Sequence, residues 1–119
     1  MRDHRSLEAW QEARELSRIA VRSSRLYWKA YAAAIFGQLQ RAALSIRLNV
    51  AEGYALRTKA SFANHLRIAY GSAVETEELL ELALEEDVLP EAICRPALAH
   101  CHRCERLLLG LLKRYRRPE

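Results

Sequence analysis

The sequence contains one short run of metal-capable and redox-capable side chains, His100-Cys101-His102-Arg103-Cys104. Imidazole and thiolate groups bind zinc, and a Cys-x-x-Cys pair can carry thiol–disulfide exchange. On a helix with 3.6 residues per turn, however, His100 and His102 point about 160° apart. The two imidazoles therefore cannot share one ion, and the run predicts no metal site.

The three cysteines, Cys94, Cys101 and Cys104, share a helical stripe with apolar residues such as Leu108. Free cysteines in such a stripe behave as small hydrophobic side chains. A thiol or metal enzyme that uses Cys101 and Cys104 is the weaker alternative. No nucleophile–base–acid constellation, phosphate-binding loop or pair of catalytic carboxylates is visible. We therefore expect no enzymatic activity, no cofactor and no small-molecule substrate.

A polar stripe runs along the second predicted helix. Its members, spaced so that they cover about 80° of arc over four turns, are Gln38, Arg41, Ser45, Asn49 and Glu52. Ser and Asn are mediocre helix formers, so their presence within a helix indicates hydrogen-bond partners. Either they bond to a neighbouring helix and fix its register, or they contact a ligand directly.

Arginines provide the candidate nucleic-acid contacts, and the chain has 16 arginines against 3 lysines. The forked guanidinium group suits phosphate oxygens. The candidate phosphate contacts are Arg14, Arg18, Arg22, Arg25, Arg41, Arg103, Arg106, Lys113, Arg114, Arg116 and Arg117. The alternatives for these side chains are a solvated helix face or ion pairs with the acidic segment of the chain.

Charge is segregated along the chain, whose formal net charge is +4. Residues 1–59 carry 11 basic and 5 acidic side chains, and residues 60–99 carry 2 basic and 8 acidic ones. Residues 100–119 carry 6 basic and 2 acidic side chains. Acidic groups near the C-terminal end of a helix oppose its dipole. We therefore expect a basic neighbour to offset the glutamates of the third helix. Arginines of the first or fourth helix, within the bundle or within an oligomer, are the candidates.

These residues lie in a chain of 119 residues with only four glycines and three prolines, which favours long helices over a turn-rich β fold. The apolar periodicity predicts helices at about residues 6–28, 31–54, 59–86 and 91–115. Four amphipathic helices with short connections predict an all-α, up-down-up-down antiparallel four-helix bundle. Residues 1–119 then form a single domain.

Local signals mark the predicted helix ends. Ser6 and Thr58 have the side chains of N-cap residues, and Gly53 marks the end of the second helix. Pro96 is expected near the first turn of the fourth helix or at a kink, because proline lacks the backbone N–H.

The second and third helices carry more apolar surface than one core requires. The surplus positions, which point away from the main apolar face of each helix, are Leu44, Leu48, Ile68, Gly71, Leu79 and Leu82. A second apolar stripe rimmed by charge is typical of a subunit interface, so we expect self-association. The alternative is a wide helix buried at the centre of the bundle.

Several segments together resemble a known family. They are Trp10-Gln11, Ala13, Gln38, Arg41-Ala42-Ala43, Ser45-Ile46, Asn49-Val50-Ala51-Glu52-Gly53, Phe62 and Ala69-Tyr70-Gly71-Ser72-Ala73-Val74-Glu75. The chain resembles the bacterial 23S rRNA intervening-sequence proteins, also called S23 ribosomal proteins. It is similar, more distantly, to accessory variability proteins of diversity-generating retroelements. It departs from the family at Gln40, where a second arginine is common, and in its alanine-rich first connection.

The resemblance implies a ring-like homopentamer of four-helix subunits with a central channel and no catalytic activity. It also implies RNA binding through basic surface. We therefore predict a non-enzymatic oligomer that binds structured RNA or a nucleoprotein partner. The alternative is a scaffold whose surfaces serve self-assembly or a protein partner. No secretory signal and no membrane-spanning apolar run is visible, and the cysteine number is odd, so we expect a cytoplasmic protein without membrane contact.

Overall fold

The computed structural model describes residues 3–56 and 58–115, and the regular elements in these ranges are all helical. Four α-helices follow one another: α1 (Glu8–Leu26), α2 (Ala33–Leu56), α3 (Lys59–Glu85) and α4 (Glu91–Tyr115). Short 3₁₀ helices at His4–Ser6 and Ala30–Ala32 precede α1 and α2. Each α-helix packs against the next, and α4 packs against α1. The described chain is therefore an all-α four-helix bundle, which confirms this coarser part of the predicted fold class.

One apolar core runs through the bundle, and all four helices contribute to it. Its largest fully buried side chains include Leu16, Phe36, Leu39, Ile46, Leu66, Leu80 and Leu108. Alanine predominates among the other buried positions, so small side chains fill the space between the larger ones. Close packing of this kind, more than helix propensity, holds the helices together. Within the described ranges, no helix combines the length and apolarity needed to cross a membrane.

Two helix starts follow different rules. The hydroxyl of Thr58 accepts a hydrogen bond from the backbone N–H of Ser61 at 3.1 Å, which confirms Thr58 as the N-cap of α3. Ser6, in contrast, lies in the preceding 3₁₀ helix, and Leu7 occupies the N-cap position of α1 without a side-chain cap. The prediction for Ser6 is wrong because Asp3 accepts the Arg5 N–H at 2.9 Å and starts an extra turn upstream.

Two helix-breaking residues lie inside helices. Helix α2 continues past Gly53 to Leu56, so the predicted end at Gly53 is wrong. A β-carbon at position 53 would lie 2.7 Å from Cβ of His65 on α3. Gly53 is therefore there to let the two helices approach closely, and it does not end α2. Pro96 falls in the second turn of α4, where its missing N–H leaves the carbonyl of Ala92 without its usual helical donor.

A lysine joins the two connections at one end of the bundle. The ammonium group of Lys29 donates to the carbonyl of Tyr27 at 3.1 Å and to the carbonyl of Val88 at 2.8 Å. Lys29 belongs to the α1–α2 connection, and Val88 belongs to the α3–α4 connection. The latter turn contains Asp87 at a left-handed φ of 54°. The ends of α1 and α3 are therefore held together.

We predict that Gly53→Ala destabilises the bundle by about 1–3 kcal/mol, because the new methyl group must displace the backbone-attached Cβ of His65. Urea unfolding followed by circular dichroism measures this. Gly110→Ala, within α4, is the matched control, since a β-carbon there meets nothing within 4 Å. The control should be neutral or stabilising by up to about 1 kcal/mol. Equal stability of the two variants would contradict the close approach of α2 and α3.

Candidate nucleic-acid interface

The centre of the polar stripe joins α2 to α3. The hydroxyl of Ser72 on α3 donates to the hydroxyl of Ser45 at 2.8 Å. The amide of Asn49 donates to the same Ser45 hydroxyl at 3.1 Å. Nδ1 of His65 on α3 lies 2.9 Å from the Asn49 carbonyl oxygen, which can only accept, so the imidazole donates from Nδ1. These partially buried groups bond to each other across the helix pair and fix its register.

The ends of the polar stripe lie at the surface. Gln38, Arg41 and Glu52 are exposed. Nε and Nη2 of Arg41 both donate to the side-chain carbonyl of Gln38, at 2.8 and 2.5 Å. Arg41 is thus held along the helix by a neutral partner, and its charge remains exposed.

Four arginines line a groove between α1 and α2, which has a volume of about 380 Å³. This basic groove is formed by Ser17, Arg18, Val21, Arg22, Arg25, Leu44 and Arg47. Sequence reasoning predicted the three α1 arginines as phosphate contacts and missed Arg47. Arg47 follows Leu44 by three residues, so both side chains lie on the same side of α2. This spacing could have identified Arg47 from the sequence. Arg47 donates to the Ser17 hydroxyl at 3.2 Å and lies over the Trp10 ring at 5.3 Å.

A second basic surface lies on the last turns of α4. Arg106, Lys113 and Arg114 are exposed, and we call them the α4 basic patch. Arg106 and Arg114 border the start of α1, near Glu8. Because Glu8 and Arg22 are 14 residues apart, this patch lies about 20 Å along α1 from the basic groove. The structure therefore divides the predicted basic residues between two sites.

Three other predicted phosphate contacts fall outside these two surfaces. Arg14 is exposed on α1, outside the basic groove. Nε of Arg103 donates to the Glu12 carboxylate on α1 at 3.1 Å, so Arg103 joins α4 to α1. Arg41 stands apart on α2, as described above. Arg116 and Arg117 lie outside the described residues.

The surplus apolar positions face outward from the bundle. Leu44, Leu48, Ile68 and Leu82 have exposed fractions of 39%, 52%, 46% and 40%. Gly71 is exposed as well, and Leu79 is half-buried. Helices α2 and α3 are therefore not wide helices buried on all sides within a single chain.

Four glutamates and two leucines form an acidic face along α3. Its members are Glu75, Glu78, Leu79, Glu81, Leu82 and Glu85. Partial desolvation, followed by repulsion from Glu78 and Glu77, raises the pKa of Glu81 above its usual value. Within residues 3–56 and 58–115, no ion pair joins these four glutamates to a basic side chain. Within the described residues of one chain, arginines of α1 and α4 therefore do not pair with these glutamates, and their pairing between copies of an oligomer stays a prediction.

The cysteine- and histidine-rich run of α4 is divided between the core and two sides of the helix. Cys94, Cys101 and Cys104 are free and fully buried. Burial raises the pKa of the Cys104 thiol to about 12, so this thiol stays protonated and packs as an apolar group. His100 contacts Glu12 on α1 at 2.7 Å, whereas His102 contacts Glu77 on α3 at 3.5 Å. Within the described ranges, no cluster of His, Cys, Asp or Glu is arranged to hold a metal ion.

Two carboxyl groups meet between α3 and α4. One oxygen of Glu105 is buried without a hydrogen-bond partner. Burial, and then the neighbouring Glu77 carboxylate and Glu81, raises the pKa of Glu105 to about 7. The pKa of Glu77 is lowered, chiefly by its hydrogen bond with Glu105, with His102 adding to the effect. The pair therefore holds a proton on Glu105 at a pH where exposed glutamates have lost theirs. Sequence reasoning missed this pair because its members are 28 positions apart.

The helices and surfaces together define an all-α bundle protein with separate basic and acidic exposed faces. A family model of the 23S rRNA-intervening sequence protein matches residues 5–110. The chain belongs to this family, which confirms the resemblance seen in the sequence.

A solved structure supports the fold. It is a protein of unknown function from the S23 ribosomal protein family of Bacteroides thetaiotaomicron VPI-5482, with a TM-score of 0.78. The two chains are 24% identical over 88% of this chain and 95% of the other. A comparison with curated proteins gave no match.

We predict that the bundle loses stability on the order of 1 kcal/mol as the pH rises from about 5 to about 8, through the pKa of Glu105 near 7. In the unfolded chain the Glu105 carboxyl has its ordinary pKa of 4.5, whereas in the folded chain its pKa is about 7. Between these values the folded state holds a proton that the unfolded state has lost, so each rise in pH lowers the free energy of unfolding. Glu105→Gln should flatten this slope in urea unfolding curves. Glu86→Gln, at an exposed glutamate, is the control and should leave the slope unchanged. If Glu105→Gln also leaves the slope unchanged, Glu105 does not hold a proton at neutral pH.

Proposed function

We propose that the protein is a non-enzymatic oligomer that binds structured RNA, alone or within a nucleoprotein, through its arginine-rich surfaces. One observation carries the proposal: the cationic groups of these surfaces are largely unneutralised. Among the arginines of the basic groove, only Arg18 has an acidic partner within residues 3–56 and 58–115, Glu15 at 3.4 Å. In the same ranges, no ion pair involves the α4 basic patch. Clustered free guanidinium groups are the electrostatic footprint of phosphate binding.

The subunit in this proposal is an up-down-up-down antiparallel bundle. Contacts between neighbouring helices support this topology, because residue numbers rise along one helix as they fall along its neighbour. Asn49 and Ser45 of α2 meet His65 and Ser72 of α3, respectively. Phe62 and Glu77 of α3 contact Tyr115 and His102 of α4, respectively.

The assembly in this proposal is the homopentamer that the family resemblance implies. The exposed leucines of α2 and α3 support self-association, because a monomer rarely leaves such a stripe in water. Five chains of net charge +4 carry +20, which concentrates polyanions at low ionic strength. A cytoplasmic location follows as part of the same proposal.

Structured RNA is favoured over single strands as the partner. The basic surfaces consist of arginines, whose forked donors match phosphate oxygens. The aromatic rings next to these surfaces, Trp10 and Tyr115, already lie under the guanidinium groups of Arg47 and Arg114, at 5.3 and 6.0 Å, so these ring faces are not open to the stacking of unpaired bases. The family name, which refers to intervening sequences of 23S rRNA, supports the same class of partner.

We predict that Arg106→Gln/Arg114→Gln weakens binding to a structured RNA by about tenfold or more. Both side chains are exposed in the α4 basic patch, and the slope of log K against log salt should fall by about two. Gel-shift titrations between about 50 and 200 mM salt measure both quantities. Arg95→Gln is the control, because Glu91 already neutralises Arg95 at 2.7 Å. Equal slopes for wild type and the double variant would contradict phosphate binding at this patch.

The exposed apolar positions favour a second candidate function, a scaffold that serves self-assembly or a protein partner without RNA. Leu44, Leu48, Ile68 and Leu82 are the observation behind it. Absence of RNA binding by the wild type at about 50 mM salt, where phosphate contacts are strong, would select this scaffold function over the first.

We predict that Leu44→Glu lowers the particle mass in light scattering while helical circular dichroism is retained. A carboxylate placed in an apolar interface opposes association strongly. Leu109→Glu is the matched control, since Leu109 is 42% exposed on α4 and Leu44 is 39% exposed on α2. Samples are treated with nuclease so that bound RNA does not add mass. Loss of helicity in Leu44→Glu would instead place Leu44 in the monomer core.

A further inference from the structure

We infer that the acidic face of α3 in one copy of the chain docks into the basic groove between α1 and α2 of the next copy. The inference rests on the self-association proposed above and names the two surfaces that perform it. The interface is heterologous, because the two partners contribute different surfaces.

The two surfaces are complementary in charge and similar in makeup. The basic groove places four arginines around exposed Val21 and Leu44. The acidic face places four glutamates around Leu79 and Leu82. In each surface apolar side chains are rimmed by a single sign of charge, which is the composition of an interface whose ion pairs set orientation. Repulsion among the glutamates, already visible at Glu81, is relieved when cations of another copy approach.

The spacing of the charges fixes an antiparallel register. Along α1, Arg18, Arg22 and Arg25 are separated by four and then three residues. Read backward along α3, the glutamates at positions 85, 81 and 78 are separated by four and then three as well. With a rise of 1.5 Å per residue, both sets span the same levels, at 0, about 6 and about 10.5 Å.

The same register also matches the apolar side chains. If Arg18 faces Glu85 and Arg25 faces Glu78, then Val21 lies at the level of Leu82. Val21 is 41% exposed and Leu82 is 40% exposed in the single chain. One alignment of the two helices therefore brings three arginines opposite three glutamates and also covers Val21 and Leu82, without a change of register between the two sets.

A heterologous contact of this kind leaves each copy with one free groove and one free face until the chain of copies closes. Closure into a ring covers every groove and every face. The basic groove is then unavailable to RNA, and the α4 basic patch remains as the phosphate-binding surface. The inference thus divides the arginines into an assembling set and an RNA-binding set.

The test exchanges the charges of the two surfaces. Arg22→Glu/Arg25→Glu reverses the groove, Glu78→Arg/Glu81→Arg reverses the face, and the quadruple variant carries both changes. Each double variant should fall to the 13.7 kDa of a single chain in light scattering after nuclease treatment, and the quadruple variant should regain the wild-type mass. Arg14→Glu/Arg67→Glu is the control for the groove variant, because it makes the same charge change at exposed arginines outside both surfaces. Circular dichroism verifies that all variants are helical.

The outcomes separate this inference from the proposed function. A wild type that stays a single chain overturns both self-association and this interface. An assembled wild type whose mass is unchanged by either double variant overturns the interface alone. Loss of assembly in both double variants without recovery in the quadruple variant also overturns it, because directly paired charges must be exchangeable.

Discussion

The close approach of α2 and α3 is the constraint on which the rest of the bundle depends. Gly53 lacks the side chain that would collide with Cβ of His65, so the backbone of α2 packs directly against side chains of α3 there. Along the same line, hydroxyl and amide groups of Ser45, Asn49 and Ser72 bond to one another. Buried polar groups tolerate only the register that satisfies them. This seam therefore decides which sides of α2 and α3 face the core and which face outward.

The outward sides carry charge in separate blocks. The basic groove uses α1 and α2, whereas the acidic face uses α3 alone. Within the described residues, few ion pairs bridge the helices, and those few involve Glu12 and Glu77. Most charged side chains of the single chain are thus solvated rather than paired with each other, although the sequence contains 19 basic and 15 acidic residues. This separation is what makes the surfaces suited to phosphate and to a second copy of the chain.

Much of the fold follows from the sequence because it depends on local signals. The 3.6-residue apolar period, the Thr58 cap and the buried cysteine stripe all act within one helix. The misplaced features depend on contacts between distant segments. In the sequence, Gly53 has the appearance of a helix terminator, and only the packing of α3 shows that it lies opposite His65. Arg47 likewise joins the basic groove only through the packing of α2 on α1. The Glu77–Glu105 pair likewise requires the alignment of α3 with α4.

The two connections tied by Lys29 have a consequence for how the bundle opens. Helices α1 and α2 are joined by the connection that contains Lys29, and α3 and α4 are joined by the turn that contains Val88. The Lys29 ammonium adds a hydrogen bond of 2.8 Å between these two connections. Separation of the α1–α2 pair from the α3–α4 pair therefore breaks this bond in addition to the packing between the helices, which raises the free energy of partial opening.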